Sequence, residues 1–335
     1  MANFWKKLKK PFFVLAPMAD VTDAAFRELI AKYSRHGKSY GGPDVFWTEF
    51  VSADGLSSAG QKKLLPDLWY SKDEHPIVAQ IFGANPENFY KTAKLIKKLG
   101  FDGIDINMGC PDRSVEKQGA GAALIKNIKL AKELIMAAQK GGGGLPVSVK
   151  TRVGYNKNQI DEWVPALLET GIAALTIHAR TRKEMSLVPA RWEDVKEVVA
   201  LRDKLGVNTL IIGNGDAKDL ADAREKAKAS GADGVMLGRA IFGNPWLFDQ
   251  DSLLQCSQEH WSRESAEVRE KLKVMVEHTE LFEKKLGKIK NFAIMKKHYK
   301  AYANGFDGAK ELRMKLMETK NAEEVDTIVN KFLGV

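Results

Sequence analysis

Short apolar runs rich in β-branched residues recur along the chain, and each is followed by a stretch whose apolar positions repeat with helical spacing. The runs predict strands over Phe12 to Ala16, Val45 to Glu49, Ile77 to Ile81, Gly103 to Asn107, Val147 to Thr151, Ala174 to His178, Thr209 to Gly213 and Gly234 to Leu237. Helices are predicted between them, among them Asp23 to Tyr33, Pro86 to Leu99 and Asn127 to Gln139. Three helix-to-strand joins, KKLGFDGIDIN, LETGIAALTIH and KASGADGVMLG, place a glycine just past the helix and an apolar strand directly after it. Glycine suits a helix C-terminal cap because it takes φ > 0 at no steric cost. Repeated βα units of this number make a (β/α)8 TIM barrel. The competing arrangement is an open doubly wound sheet built from the same units. The tetraglycine Gly141 to Gly144 reads as a flexible connection from helix to strand.

From about Leu253 onward the strand signals stop and the chain becomes lysine-rich and helical in period. Between Lys284 and Lys300 lie Lys284, Lys285, Lys288, Lys290, Lys296, Lys297 and Lys300, with no acidic residue among them. The pattern predicts a barrel domain over residues 1–250 and a C-terminal all-helical domain over 251–335. The length of 335 residues agrees with a barrel of roughly 250 residues and an appendage.

Composition narrows the function classes. With 44% hydrophobic and 28% charged residues a large core is available, which excludes wholesale disorder. The 52 basic against 43 acidic residues give a net charge of +9, which favours a polyanionic partner such as nucleic acid without identifying one. Cys110 and Cys256 are too few and too far apart for a disulfide framework or a zinc cluster, so no metal is expected and a reducing compartment, the cytoplasm, is the simplest setting. The start MANFWKKLKKPFFVLAPMADV carries a basic patch and an apolar run, but Pro17 breaks the run and Asp20 ends it, as in a first buried strand rather than a signal peptide. No stretch approaches the roughly 18 uncharged apolar residues of a membrane span. A soluble monomer is the default expectation.

In a (β/α)8 barrel the active site lies at the C-terminal ends of the strands. The predicted strands end in Ala16-Pro17-Met18, near Gln80, in Asn107 with Cys110 three residues on, in Lys150 and Arg152, in His178 and Arg180, in Asn214-Gly215-Asp216 and in Gly238-Arg239. A purely structural barrel has no need of a cation or an amide at nearly every strand end. Gly213 to Asp216 and Leu237 to Ala240 follow the last two strands, where barrels place glycine-rich phosphate sites, and Arg239 could join backbone N–H groups around a phosphate monoester. Lys150 and His178 would then face the rest of a cofactor. A lone buried cysteine is usually an inert small hydrophobe. Cys110, between Gly109 and Pro111, stands in a loop above the barrel, and an unperturbed thiol is mostly protonated at neutral pH, so it can donate a proton as readily as attack. Cys256 has no such company and reads as structural.

These motifs together resemble the tRNA-dihydrouridine synthases over nearly the whole chain: LAPMADVTDAAFR, AQIFG, DINMGCP with the GAGAAL that follows, VKTRVG, IHARTR, IIGNGD, GVMLGRA and MKKHYKAYANGFDGAKELRMKL. NMGCP and MKKHYKAY are specific to that family, whereas GNGD and GRA are shared with other flavin barrels. The resemblance implies FMN as cofactor, NADPH as reductant and tRNA as substrate, with uridine reduced to 5,6-dihydrouridine. It assigns Pro17, Met18, Gln80, Lys150, His178, Asn214, Gly215, Asp216, Gly238 and Arg239 to the flavin, with Ala16 beside them. Cys110 is assigned to proton donation and Asn107 and Arg180 to the substrate side; Arg152, at the end of the same strand as Lys150, is placed with them, and the acid-free run of seven lysines is expected to bind RNA. The alternatives are a flavin barrel reducing a small molecule, of the dihydroorotate or ene-reductase kind, and a non-catalytic RNA-binding barrel. One loop departs from the family: KEMSLVPARW has Ser186 where an aromatic residue is usual, Val188 at a glycine and Arg191 at an aspartate. That loop lies at the rim, where it bears on base stacking and on which RNA position is chosen.

Overall fold

A computed structural model describes residues 3–251, 262 and 265–335. Nine parallel strands form its sheet: β1 (Phe12–Leu15), β2 (Phe46–Trp47), β3 (Val51–Ser52), β4 (Ile77–Phe82), β5 (Gly103–Met108), β6 (Val147–Arg152), β7 (Ala174–His178), β8 (Leu210–Asn214) and β9 (Gly234–Leu237). The order β1-β9-β8-β7-β6-β5-β4-β2 wraps the sheet into a nearly closed (β/α)8 barrel, which excludes the open doubly wound sheet. The expected second strand is split. Within Val45 to Glu49 only Phe46–Trp47 is laddered, because the Thr48 hydroxyl takes a place in the ladder by accepting from Gln80 N at 3.1 Å, and pairing resumes at β3. At the seam where the barrel closes, Asp44 N donates to Phe13 O while the Asp44 carboxylate accepts from Phe13 N at 2.7 Å.

The helices begin where capping chemistry places them. Asp23 caps Ala24–Tyr33, Asn85 caps Pro86–Lys98 with proline at its first position, and Asn127 caps Ile128–Gly142, each accepting from backbone N–H groups of the first turn. The glycines of the three joins, Gly100, Gly171 and Gly231, all take positive φ. The tetraglycine corrects the flexible-linker expectation. Gly141 and Gly142 are the last turn of a helix, and a Cβ at Gly141 would lie 2.2 Å from Tyr90 O of the neighbouring helix. Close helix approach, not flexibility, requires glycine there.

Alternate residues of each strand point into the barrel. The lower layer is apolar: Phe12, Val14, Trp47, Val78, Ala174, Ile212 and Met236 pack together, plugged from below by Trp5 of the N-terminal 3₁₀ turn Phe4–Lys7. The next inward positions up the same strands change character, to Gln80, Asp105, Asn107, Lys150, Arg152, His178 and Asn214. Register sets Gln80 beside Asp105, Asn107 beside Lys150, and Arg152 beside His178, which is in turn beside Asn214. The polar upper layer is where a site can form.

Helices Ala266–Leu286, Met295–Tyr302, Ala309–Leu316 and Ala322–Leu333 make the C-terminal helical region. It docks on the barrel's first helix. Phe26 stacks on His278 at 4.6 Å and meets the edge of His298 at 4.8 Å, and Tyr33 donates to Glu277 at 2.6 Å. One apolar core runs from the barrel's outer layer into these helices. Cys256 lies outside the described residues. Among the described residues no helix is long and apolar enough to cross a membrane, and no group of residues has the makings of a metal site.

Candidate active site

A pocket of about 230 Å³ opens over the C-terminal strand ends, lined by Ala16, Pro17, Met18, Lys150, His178, Arg180, Ser186, Asn214, Gly215, Asp216, Ala217, Met236, Gly238 and Arg239. A larger cleft of about 1000 Å³ lies at the opposite end, where Phe13 and Asp233 mark the strand beginnings. Position against the strand ends, not size, singles out the smaller one. Every residue the sequence assigned to the cofactor lines it except Gln80, which is wholly buried beneath.

The pocket's electrostatics follow from its walls. Lys150 donates to Asn214 Oδ1 at 3.2 Å, and Asn214 Nδ2 donates to Met236 O at 2.8 Å, so the amide is held with its oxygen towards the ammonium. Burial and the neighbouring Arg152 pull the Lys150 ammonium down to about 8. His178 is pushed far below its ordinary value by burial and by Lys150, Arg152, Arg180 and Arg239 around it. The imidazole is therefore neutral, its Nε2 accepts from Arg180 Nη1 at 3.1 Å, and the proton sits on Nδ1. Arg239 is two-thirds exposed and swings over the rim from Asp216, which it meets at 2.6 Å. Such a cluster of cations suits an anionic ligand.

Arg152 and Arg180, expected on the substrate side, both bond groups of the protein itself, and Arg180 also lines the pocket. Arg180 is 2% exposed and bonds Val188 O, His178 and Asp216. Arg152 donates from Nε to Gly109 O and from Nη1 to Thr181 O and Met185 O. They are clamps that fix the loops over the barrel. The departing loop is held the same way: Ala190 N donates to Asp216, Arg191 pairs with Glu184 and Asp194, and Ser186 is brought into the pocket wall. Ala217 and Met236 are pocket residues the sequence reading missed; the inward strand period marks Met236.

Cys110 stands to one side, partly exposed and unbridged. Its backbone N–H donates to Asn107 Oδ1 at 2.9 Å and its carbonyl accepts from Ala122 N at 2.9 Å. Gly121, at φ 59, passes so close that a Cβ would sit 2.8 Å from Cys110 O. That contact explains the glycine in GAGAAL. Burial raises the thiol above its ordinary value, outweighing the nearby Arg152 and Lys150, so it is protonated at neutral pH.

Of the seven lysines, three are tied to the barrel. Lys290 reaches Glu49 at 2.8 Å and Asp67 at 3.0 Å, Lys285 meets Glu28 at 2.5 Å, and Lys297 donates to Asp20 O at 3.3 Å. Lys290, only 12% exposed, closes the junction between the two regions. Lys284, Lys288 and Lys300 are exposed and Lys296 half-buried.

A (β/α)8 barrel with a cationic pocket over its strand ends and a cysteine loop at the rim is the class that fold and site define. The chain belongs to the dihydrouridine synthase family: the model described as Dihydrouridine synthase (Dus) matches residues 14–333. A protein of Staphylococcus aureus (strain Mu50) named probable tRNA-dihydrouridine synthase is 42% identical, covering 98% of this chain and 95% of its own length. The Bacillus subtilis (strain 168) protein named probable tRNA-dihydrouridine synthase 2 is 41% identical over 98% of this chain and 96% of its own. Among solved structures, histamine dehydrogenase from Rhizobium sp. 4-9 superposes with a TM-score of 0.52 at 12% identity, covering 78% of this chain and 48% of that one. At that identity the likeness is one of fold.

Proposed function

We propose that this chain is an FMN-dependent tRNA-dihydrouridine synthase that uses NADPH as reductant. The observation that carries the reading is the pairing, in a chain of this family, of a protonated Cys110 thiol with a cationic pocket at the same strand ends. The donor set fits FMN: Arg239 with the backbone around Gly215 and Gly238 suits its phosphate, and Lys150 beside Asn214 suits the electron-rich edge of its ring. His178 offers Nδ1–H as a neutral donor. Bound there, the cofactor supplies hydride to C6 of the target uracil. The protein's own part is the proton: Cys110 Sγ gives its hydrogen to C5, the C5=C6 double bond becomes single, and the thiolate regains a proton from water. The target uridine must leave its stack to reach the mouth, and exposed Lys284, Lys288 and Lys300 with half-buried Lys296 are the cations that remain to grip phosphates around it.

The purified protein should be yellow, with a band near ~450 nm, and should form dihydrouridine in unmodified tRNA with NADPH. Cys110→Ala should keep the flavin and lose dihydrouridine. A colourless protein that FMN cannot reconstitute would remove the flavin reading; full turnover by Cys110→Ala would remove the proton-donor assignment.

A further inference from the structure

Beneath the pocket a continuous chain of hydrogen bonds links β5, β4 and the cysteine loop. Asp105, wholly buried on β5, accepts from Gln80 Nε2 at 2.6 Å through one oxygen and from the Ser148 hydroxyl at 2.6 Å through the other. Gln80 is thereby turned so that its own oxygen accepts from Asn107 Nδ2 at 3.0 Å. Asn107 in turn presents its oxygen to the backbone N–H groups of Gly109 at 3.1 Å and Cys110 at 2.9 Å.

An amide can be placed either way round at little cost, but an ionised carboxylate only accepts. With Asp105 at its head, the chain has one polarity. Reversed, Asn107 would point its NH₂ at two backbone N–H groups and leave three donors facing one another. We propose that Asp105 is a positioning residue for the reaction: its carboxylate fixes Gln80, Gln80 fixes Asn107, and Asn107 fixes the backbone that aims the Cys110 thiol. The inference rests on the reading of Cys110 as proton donor.

Burial lifts the Asp105 carboxyl to about 6 against hydrogen bonds from Ser148 and Gln80 and the charge of Lys150, which leaves it ionised at neutral pH. Its place two residues before Asn107 on one strand puts both on the inward face. Asp105 does not itself line the pocket, so its effect reaches the mouth through Gln80 and through the charge it sets below Lys150.

The test uses the full-length protein in a Cys256→Ser background, so that alkylation by iodoacetamide reports Cys110 alone. Asp105→Asn should speed alkylation several-fold at pH 7.5 and move its pH midpoint down towards that of an ordinary thiol, about 8.5. In dihydrouridine formation it should lower kcat about 10-fold to 100-fold, with KM for tRNA within about three-fold. Asn107→Asp keeps the acceptor for Gly109 and Cys110 but removes the donor to Gln80, so adding Asp105→Asn to it should change neither readout further. If Asp105→Asn fails to fold, Ser148→Ala, which frees one carboxylate oxygen, should shift the alkylation profile in the same direction by a smaller amount. An unchanged profile in the folded variants, or additive effects in the double variant, would overturn the proposal. Alkylation needs neither flavin nor RNA, so that outcome is separate from failure of wild-type protein to make dihydrouridine.

Discussion

The barrel mouth and the junction with the helical region both bury lysines, and the two lysines end in opposite electrostatic states. Lys290 at the junction meets Glu49 and Asp67, with Asp20 at 3.8 Å, and those carboxylates hold its ammonium well above the ordinary value despite burial. Lys150 in the mouth has an amide oxygen for a hydrogen-bond partner and Arg152 as neighbour, and burial pulls it down to about 8 although the Asp105 carboxylate below draws the other way. Matched charge marks a place the protein has completed for itself. Unmatched cations at a strand end mark a place left for something anionic, and the folded chain carries their cost until it arrives.

The comparison is broken most directly at the junction. Lys290→Met removes the cation from Glu49, which is 6% exposed on its side chain and keeps a hydrogen bond from Asp20 N, and should cost about 3 kcal/mol in chemical denaturation. It should leave flavin affinity within about two-fold; a stability loss below about 1 kcal/mol would mean the junction is not a matched site.

In the mouth the same substitution should act the other way round. Lys150→Met should weaken FMN binding by about 2 to 3 kcal/mol, the worth of a charge-assisted contact, and, because it removes an ammonium whose burial the fold bears, should stabilise the FMN-free protein at pH 7 rather than cost it stability. Equilibrium titration with FMN and paired melts decide it; unaltered affinity would remove Lys150 from the cofactor.

The depressed Lys150 also predicts a pH signature. Below about 8 the folded ammonium is charged and its burial cost is borne in full; between about 8 and its unfolded value of 10.5 the folded form has lost the proton while the unfolded chain still holds it. Stability contributed by this group therefore rises across that window. The difference in melting free energy between wild type and Lys150→Met, followed in the FMN-free protein from pH 7 to 10, should shrink on the alkaline side and should do so less once FMN is bound. A flat difference would contradict the burial of an unmatched ammonium.

The smallest effect belongs to the exposed lysines. Lys288→Gln and Lys300→Gln should each weaken tRNA binding modestly and lower the salt-dependence slope by at most about one. Slopes that do not move would place the RNA surface elsewhere.

Barrel and strand ends were legible in the sequence because they are local. Period-two runs, capping Asp23, Asn85 and Asn127, and glycine past each helix are read within a few residues, and they fix which side chains emerge at the mouth. That is why Lys150, His178, Asn214 and Arg239 could be named together, and why NMGCP and MKKHYKAY carried the family. Partnership was not legible. Arg152 and Arg180 looked like free cations at strand ends until carbonyls from residues 109, 181, 185 and 188 closed around them. Lys288 and Lys290 share one basic segment, yet only Lys290 meets carboxylates from residues 49 and 67, more than two hundred positions away. Asp105 sat inside GIDIN as one acid in an apolar run, and only closure of the barrel set Gln80 and Ser148 against its two oxygens. The sequence by itself determined the periodicity, the caps and the residue types at the strand ends. Tertiary structure decided which charges are neutralised, because Coulomb and hydrogen-bond energies depend on distances of a few ångströms that the order of residues does not contain.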